Sequence, residues 1–104
     1  SIDTGTIYKG WQGDGAWSYP VGQVSEAAQR LLDVTKEALY KGIAAVEAGK
    51  PMMQVSAAIQ QYVESHGLSV VREYTGHGIG QEMHEPPEIL HYVNMAHADS
   101  YVIL

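Results

Sequence analysis

The sequence contains no cysteine, and this absence excludes disulfide bonds and thiolate metal sites. It also fits a reducing compartment. Basic residues are few as well, because six Lys and Arg stand against twelve Asp and Glu, which gives a net charge of −6. Such a balance argues against nucleic acid as a partner, since a polyanion is bound through positive charge. The acidic surplus and the five histidines are compatible with binding of a cation.

Long apolar runs are absent too. No stretch approaches the roughly 20 apolar residues that span a bilayer, and no basic segment followed by an apolar one stands at the start. The sequence therefore supports the prediction of neither a membrane protein nor an exported one. Its 104 residues, 45% of them hydrophobic and 17% charged, are typical of one globular domain or part of one, with a modest core.

Glycines and apolar residues organise the first half of the chain. Short apolar stretches broken by glycines over residues 1–22 predict two strands joined by a turn near Lys9-Gly10. Ser25 is the expected N-cap of a first helix, which ends before Pro51. Apolar residues at spacings of three and four predict the buried side of this helix: Ala28, Leu31, Leu32, Thr35, Leu39, Ile43 and Val46.

A second helix of about four turns is predicted next, with Gly67 as its C-terminal cap. Its inward side is predicted to consist of Val55, Ile59, Tyr62 and Val63. Leu68–Tyr74 is rich in β-formers, and it and the final segment His97–Leu104 are both predicted to be strands.

Two aspartates of the predicted hairpin, Asp3 and Asp14, form the first candidate site. A turn centred on Tyr8-Lys9 puts them directly opposite each other, and a turn centred on Lys9-Gly10 makes them diagonal neighbours on one face. Either arrangement places the carboxylates within about 5–8 Å, whereas a three-residue turn would separate their faces unless a bulge restored the match. Adjacent carboxylates repel, so one should stay protonated unless a cation binds between them. The alternative is two unrelated aspartates in a glycine-rich hairpin.

Two histidines form the second candidate site. His77 lies between glycines in the run GHGIG (residues 76–80). Glycines flank a residue where the backbone needs a positive φ or approaches a ligand closely, and imidazole is a common metal ligand. His84 precedes a Pro-Pro pair that stiffens the segment, and it could contact a substrate as a proton carrier or electrophile. The alternative for His77 is a solvated side chain in a flexible loop.

The remaining histidines and the large aromatic residues carry no motif. His66 is expected at a helix end, where a charged imidazole suits the helix dipole. His91 and His97 have no accompanying pattern. The two tryptophans and seven tyrosines are predicted to lie in the core or at its rim rather than to form a recognition surface.

Along the chain, Asp3 and Asp14 come first, two helices follow, and the runs GHGIG and HEPP, the latter beginning at His84, come last. This order of features resembles that of the type I methionine aminopeptidases. The resemblance covers essentially the whole chain. It implies an α/β (α+β) chain with part of the pita-bread fold, in which a curved antiparallel sheet has two helices packed on one face.

The resemblance also implies a role for each candidate residue. Asp3 would bind one metal ion, Asp14 would bridge two, His77 would be the imidazole ligand, and His84 would be the catalytic, substrate-contacting histidine. The cofactor would be two divalent ions, chosen among Mn, Fe, Co and Zn, which suit carboxylate and imidazole ligands. Such a pair activates water and polarises the scissile carbonyl. The implied substrate is the N-terminal methionine of a nascent protein, and the implied location is cytoplasmic.

Some residues that the resemblance implies are not in this sequence. The family uses two further glutamate ligands and an upstream histidine, and Glu82, Glu85 and Glu88 do not replace them because they belong to the segment of His84. We therefore expect residues 1–104 to be an incomplete metallopeptidase catalytic domain without its N-terminal portion and C-terminal strands. The isolated chain is expected to be inactive and to self-associate through uncovered sheet edges and apolar surface.

Two other assignments fit parts of the pattern. One is a prolidase or aminopeptidase P, and the other is a non-catalytic pita-bread protein that acts as a binding module. The runs GDGAWSYPVG and REYTGHGIG favour the methionine enzyme over the first. The presence of three ligand residues argues against the second. Neither nucleic acid nor a membrane is expected as a partner.

Overall fold

A β-hairpin opens the chain in the computed structural model, which describes residues 1–104. Strand β1 (Ile2–Tyr8) pairs antiparallel with β2 (Trp11–Trp17), and Tyr8 lies opposite Trp11. The turn therefore consists of Lys9 and Gly10, which have φ angles of 51° and 84°. Two positive φ angles in a two-residue turn match the right-handed twist of the strands. The predicted turn at Lys9-Gly10 is confirmed.

Two helices follow the hairpin. Helix α1 (Glu26–Ala44) begins at Ser25, whose Oγ accepts a hydrogen bond from Ala28 N at 3.1 Å, as the sequence predicts for an N-cap. Helix α2 (Met53–Ser65) is followed by Gly67 at φ 72°, which confirms the predicted C-terminal cap.

The helices pack through a narrow seam. A Cβ on Gly42 of α1 would lie only 2.8 Å from Ile59 Cδ1 of α2, so the absence of a side chain lets the helices approach. The buried side of α1 consists of Val34, Ala38 and Gly42, one residue every four. The predicted stripe is therefore wrong in part, because a narrow seam covers fewer residues than a full amphipathic face. Its larger members remain exposed: Leu31, Leu39, Ile43 and Val46.

A second, separate sheet carries the glycine run. Strand β3 (Gly76–Gly78) pairs antiparallel with β4 (Glu85–Ile89), with a bulge between His77 and Gly78. The two sheets have two strands each, so the sheet implied by the resemblance is present as two hairpins. The hairpins touch where Gln12 N donates to Gly80 O at 2.8 Å.

Two predicted strands are wrong. Leu68–Tyr74 is irregular, since no strand lies beside it to accept its backbone hydrogen bonds. The final segment forms a 3₁₀ helix (Ala98–Tyr101) and then one isolated bridge between Ile103 and Pro51. The Val102 N–H donates to Asp99 O within this short turn, so the 3₁₀ helix takes up the first half of the predicted strand. The last residues hydrogen-bond to residues 49–52, where Met52 N donates to Val102 O and Leu104 N donates to Lys50 O.

The core is small. Its buried hydrophobic residues are Val34, Ala38, Val55 and Leu90. Ser56 is buried beside them, and its Oγ donates to Leu90 O at 2.6 Å, which joins α2 to the end of β4. None of the helices combines the length and hydropathy that a membrane crossing needs.

Candidate metal centre

The two aspartates lie on one face of the first hairpin. Asp3 is opposite Ala16 and Asp14 is opposite Gly5, so Asp3 and Asp14 are diagonal neighbours. This is one of the two registers that the sequence allows for a shared face. The same face meets the segment that connects β3 to β4, because a Cβ on Gly5 would lie 2.9 Å from Met83 Cε.

His77 and Asp14 are in contact across the two sheets. His77 Nε2 lies 3.1 Å from Asp14 Oδ2, and their side chains are 20% and 33% exposed. The other ring nitrogen, Nδ1, lies 2.9 Å from Gly78 O. A carbonyl oxygen only accepts, so Nδ1 carries the proton and donates this bond. If the ring is neutral, the lone pair of Nε2 faces the Asp14 carboxylate, and the two electron-rich atoms repel each other. The contact is favourable only when a cation, either a proton or a metal ion, lies between them.

Asp3 does not form a close group of three with this pair. The donor atoms of Asp3, Asp14 and His77 do not all lie within 4.8 Å of one another. The donor types, two carboxylates and an imidazole with a hydrogen-bonded Nδ1, suit a divalent transition metal. The arrangement thus fits a metal ion in its chemistry, with Asp14 and His77 in contact and Asp3 on the same face of the hairpin as Asp14.

His84 lies against His77 in the structure. The two ring centroids are 4.3 Å apart with an interplanar angle of 51°, and His84 is exposed. Two imidazoles separated by seven positions in sequence therefore meet at one place. A group that approaches the Asp14–His77 pair from the His84 side would meet the exposed ring of His84.

The glycines of GHGIG permit close approach rather than a positive φ. None of Gly76, Gly78 and Gly80 has a positive φ angle. A Cβ on Gly78 would lie 2.8 Å from Glu85 O, and one on Gly80 would lie 2.8 Å from the Glu85 carboxylate. Of the two reasons for glycine considered from the sequence, the close approach of β3 to β4 is the one observed.

One further group of polar residues was not predicted from the sequence. Glu88, His97 and Asp99 each place a donor atom within 4.8 Å of the others, and we call this group the carboxylate–imidazole cluster. His97 Nε2 lies 3.0 Å from Glu88 Oε2, and Glu88 N donates to Asp99 Oδ2 at 3.0 Å. The residues have no regular spacing that marks a site, so only the fold reveals the group.

His91 has a lowered pKa. Burial disfavours its charged form and lowers the pKa below the ordinary value of 6.5. Its side chain lines an apolar groove of about 350 Å³ between the two helices and residues 68–71.

The profile of metallopeptidase family M24 matches residues 1–103 of this chain. The chain belongs to metallopeptidase family M24. Within the family, it is 52% identical to methionine aminopeptidase 1 of Bacillus subtilis over 92 residues, which are 88% of this chain and 37% of that protein. It is 44% identical to the methionine aminopeptidase of Escherichia coli over 92 residues, which are 88% of this chain and 35% of that protein.

Solved structures give the same assignment. The crystal structure of methionine aminopeptidase from Thermotoga maritima superposes with a TM-score of 0.89 at 41% identity, over 98% of this chain and 40% of that one. Prolidase from Pyrococcus furiosus superposes with a TM-score of 0.83 at 23% identity, which shows a shared fold alone. The M24 chain therefore has the pita-bread α+β fold, and it spans 35–40% of the length of these methionine aminopeptidases.

Proposed function

We propose that this chain supplies part of the dinuclear metal centre of a methionine aminopeptidase, an enzyme that removes the N-terminal methionine from new proteins. The observation that carries the proposal is the contact between His77 Nε2 and Asp14 Oδ2 at 3.1 Å. The hydrogen bond from His77 Nδ1 to Gly78 O supports it, because ligating histidines usually donate the other ring N–H in this way.

Each candidate residue has a role in this proposal. Asp14 and His77 would hold one divalent ion, and Asp14 and Asp3 would hold a second. Mn, Fe, Co and Zn all suit such ligands. The bound ions would supply the activation of water and the polarisation of the peptide carbonyl. His84, beside His77, would contact the substrate and hold or transfer a proton at its exposed ring.

We expect catalysis only from a polypeptide that supplies the complete set of metal ligands. The two additional glutamate ligands implied by the resemblance are not among these 104 residues, so the chain alone should bind ions weakly and should not hydrolyse peptides. The relatives' names point to a peptide with N-terminal methionine as substrate. A longer polypeptide that contains these residues and both glutamates should release methionine from Met-Ala-Ser. Release of residues linked to proline without release of methionine would instead indicate a prolidase-type enzyme.

Calorimetric titration of this chain with Mn²⁺ or Co²⁺ tests the proposed ligands. Residues that hydrogen-bond to metal ligands typically change metal affinity by about 10–100-fold when they are replaced. Asp14→Asn and His77→Ala should each lower the affinity for the ion by more than this, because they would remove a ligand itself. Asp33→Asn is the matched control, because Asp33 is an exposed aspartate on α1. Its isotherm should equal that of the unchanged chain. Identical isotherms for the unchanged chain, Asp14→Asn and His77→Ala would overturn the proposal.

We further propose that the chain self-associates and that it is cytoplasmic. Large apolar side chains on the hairpin support self-association, including Tyr8 at 72% exposed and Trp11 at 58%. Exposed apolar surface of this kind is usually covered by a partner. Fractionation of cells that produce the protein tests its location.

A further inference from the structure

The carboxylate–imidazole cluster lies next to His77 in the second sheet, because it includes the residue paired with His77. Glu88 of β4 is the residue opposite His77 of β3 in the second sheet. A displacement of the Glu88 backbone would therefore be passed to His77 through the pairing of β3 with β4.

Asp99 fixes that backbone. The N–H of Glu88 donates to Asp99 Oδ2 at 3.0 Å, and hydrogen bonds to a charged acceptor are stronger than neutral ones. The Glu88 side chain is fixed as well, since His97 Nε2 donates to its Oε2 at 3.0 Å. One residue is thus held at its backbone and at its carboxylate by the same short segment.

This segment is itself anchored. Ser100, which follows Asp99, is 4% exposed, and its Oγ donates to Asn94 O at 3.1 Å. Its N–H donates to His97 O, also at 3.1 Å. The 3₁₀ helix therefore presents Asp99 to β4 from a fixed backbone.

The chemistry of His97 argues against the cluster as a metal site in its own right. Its Nδ1 is buried and has no hydrogen-bond partner. A ligating histidine normally donates its second N–H to an acceptor, as His77 does to Gly78 O. If a metal ion took Nε2, the proton would move to Nδ1 and lie buried without an acceptor. The ring proton belongs on Nε2, where it donates to Glu88.

We propose that Asp99 is a positioning residue for His77, acting through the Glu88 backbone and the β3–β4 pair, with His97 in support. This inference rests on the proposed function, because it assigns to Asp99 the orientation of a proposed metal ligand.

Three variants test the proposal. Asp99→Ala removes the acceptor, whereas Asp99→Asn removes the charge and keeps an oxygen that accepts from Glu88 N. Asp33→Ala is the control, since Asp33 is another aspartate that accepts one hydrogen bond, from Gln29 Nε2 at 2.9 Å. Two measurements are made: the affinity for Mn²⁺ by calorimetry, and the ¹⁵N NMR spectrum of the His77 ring without metal.

Asp99→Ala should lower Mn²⁺ affinity about tenfold, the lower end of the range for outer-shell partners. It should also shift the ¹⁵N resonance of His77 Nε2, because the contact of that atom with Asp14 depends on where β3 lies. Asp33→Ala should keep the affinity within about twofold, as expected for a distant site. Asp99→Asn should have an effect between those of Asp99→Ala and Asp33→Ala, because it keeps the acceptor but loses the charge that strengthens the hydrogen bond.

Either of two results would overturn the assignment. The first is an Asp99→Ala variant with unchanged affinity and an unchanged His77 spectrum. The second is loss of one whole equivalent of bound Mn²⁺ with the remaining affinity intact, because the cluster would then be an ion site itself. If the unchanged chain bound no Mn²⁺, the proposed function would fail, and the His77 spectrum alone would decide the positioning role.

Discussion

At the scale of single residues, the two ring nitrogens of His77 have different partners. Nδ1 donates to Gly78 O and Nε2 faces Asp14. His97 shows the opposite arrangement, with Nε2 against Glu88 and a buried Nδ1 that has no partner. Equal residue types in similar surroundings therefore differ in their fitness to bind a metal ion, and the backbone acceptor decides the difference.

His91 gives a prediction about pH at this scale. Burial lowers its pKa in the folded state below 6.5, so the unfolded chain binds more protons as pH falls through that value. The contribution of His91 to the free energy of unfolding should therefore decrease below about pH 6.5. Urea unfolding from about pH 7.5 to about pH 5 should show the unchanged chain losing stability relative to His91→Gln. A difference between the two proteins that stays constant with pH would contradict this.

Among the strands, helices and turns, the features that depend on neighbouring residues in sequence were predicted correctly. The turn at Lys9-Gly10, the cap at Ser25 and the end of α2 at Gly67 each depend on neighbouring residues, and each is confirmed. The strand predicted at Leu68–Tyr74 needed a neighbouring strand, which β-propensity cannot supply. Which residues of α1 are exposed depends on how much of its surface α2 covers. This is also a tertiary property, so the periodicity of α1 could not give it.

The same distinction applies to the candidate site. Residue pattern and resemblance identified Asp3, Asp14, His77 and His84 as candidates. The contact of Asp14 with His77 brings together residues 63 positions apart, so the sequence alone could not give its geometry. The cluster around Glu88 was missed because its interactions arise only after β4 and the 3₁₀ helix have packed.

The pairing of β3 with β4 leads to a prediction at this scale. Gly78→Ala would place a Cβ 2.8 Å from Glu85 O, and this overpacking should destabilise the chain by about 1–3 kcal/mol. Gly15→Ala is the matched control, because a Cβ there meets nothing within 4 Å. Its effect should lie within about 0.5 kcal/mol of zero. Urea unfolding measures both, and equal midpoints for the two variants would show that β3 can shift freely.

At the scale of the whole molecule, one face of the first hairpin remains uncovered. The cross-strand pairs Ile2–Trp17 and Tyr8–Trp11 share that face, opposite the face that carries Asp3 and Asp14. The four side chains are 62%, 40%, 72% and 58% exposed in that order. A surface of this kind is typical of an interface.

Sedimentation velocity over a concentration series tests this interpretation. The chain should sediment as an associating species, and Tyr8→Ser should shift the distribution towards monomer because it removes apolar surface from the hairpin face. Tyr74→Ser is the matched control, since Tyr74 is 79% exposed and lies outside the hairpin. A monomer at every concentration would contradict the proposed self-association, and equal effects of both variants would place the interface elsewhere.

A crystal of this chain soaked in Mn²⁺ would show directly whether Asp14 and His77 bind a metal ion. An anomalous difference map should show a peak between Asp14 Oδ2 and His77 Nε2, on the side of Asp3. Both distances should lie within about 0.2 Å of the roughly 2.0–2.2 Å that is typical of zinc bonds to carboxylate and imidazole. A map with no peak there, or with a peak only among Glu88, His97 and Asp99, would contradict the assignment of Asp14 and His77 as the metal ligands.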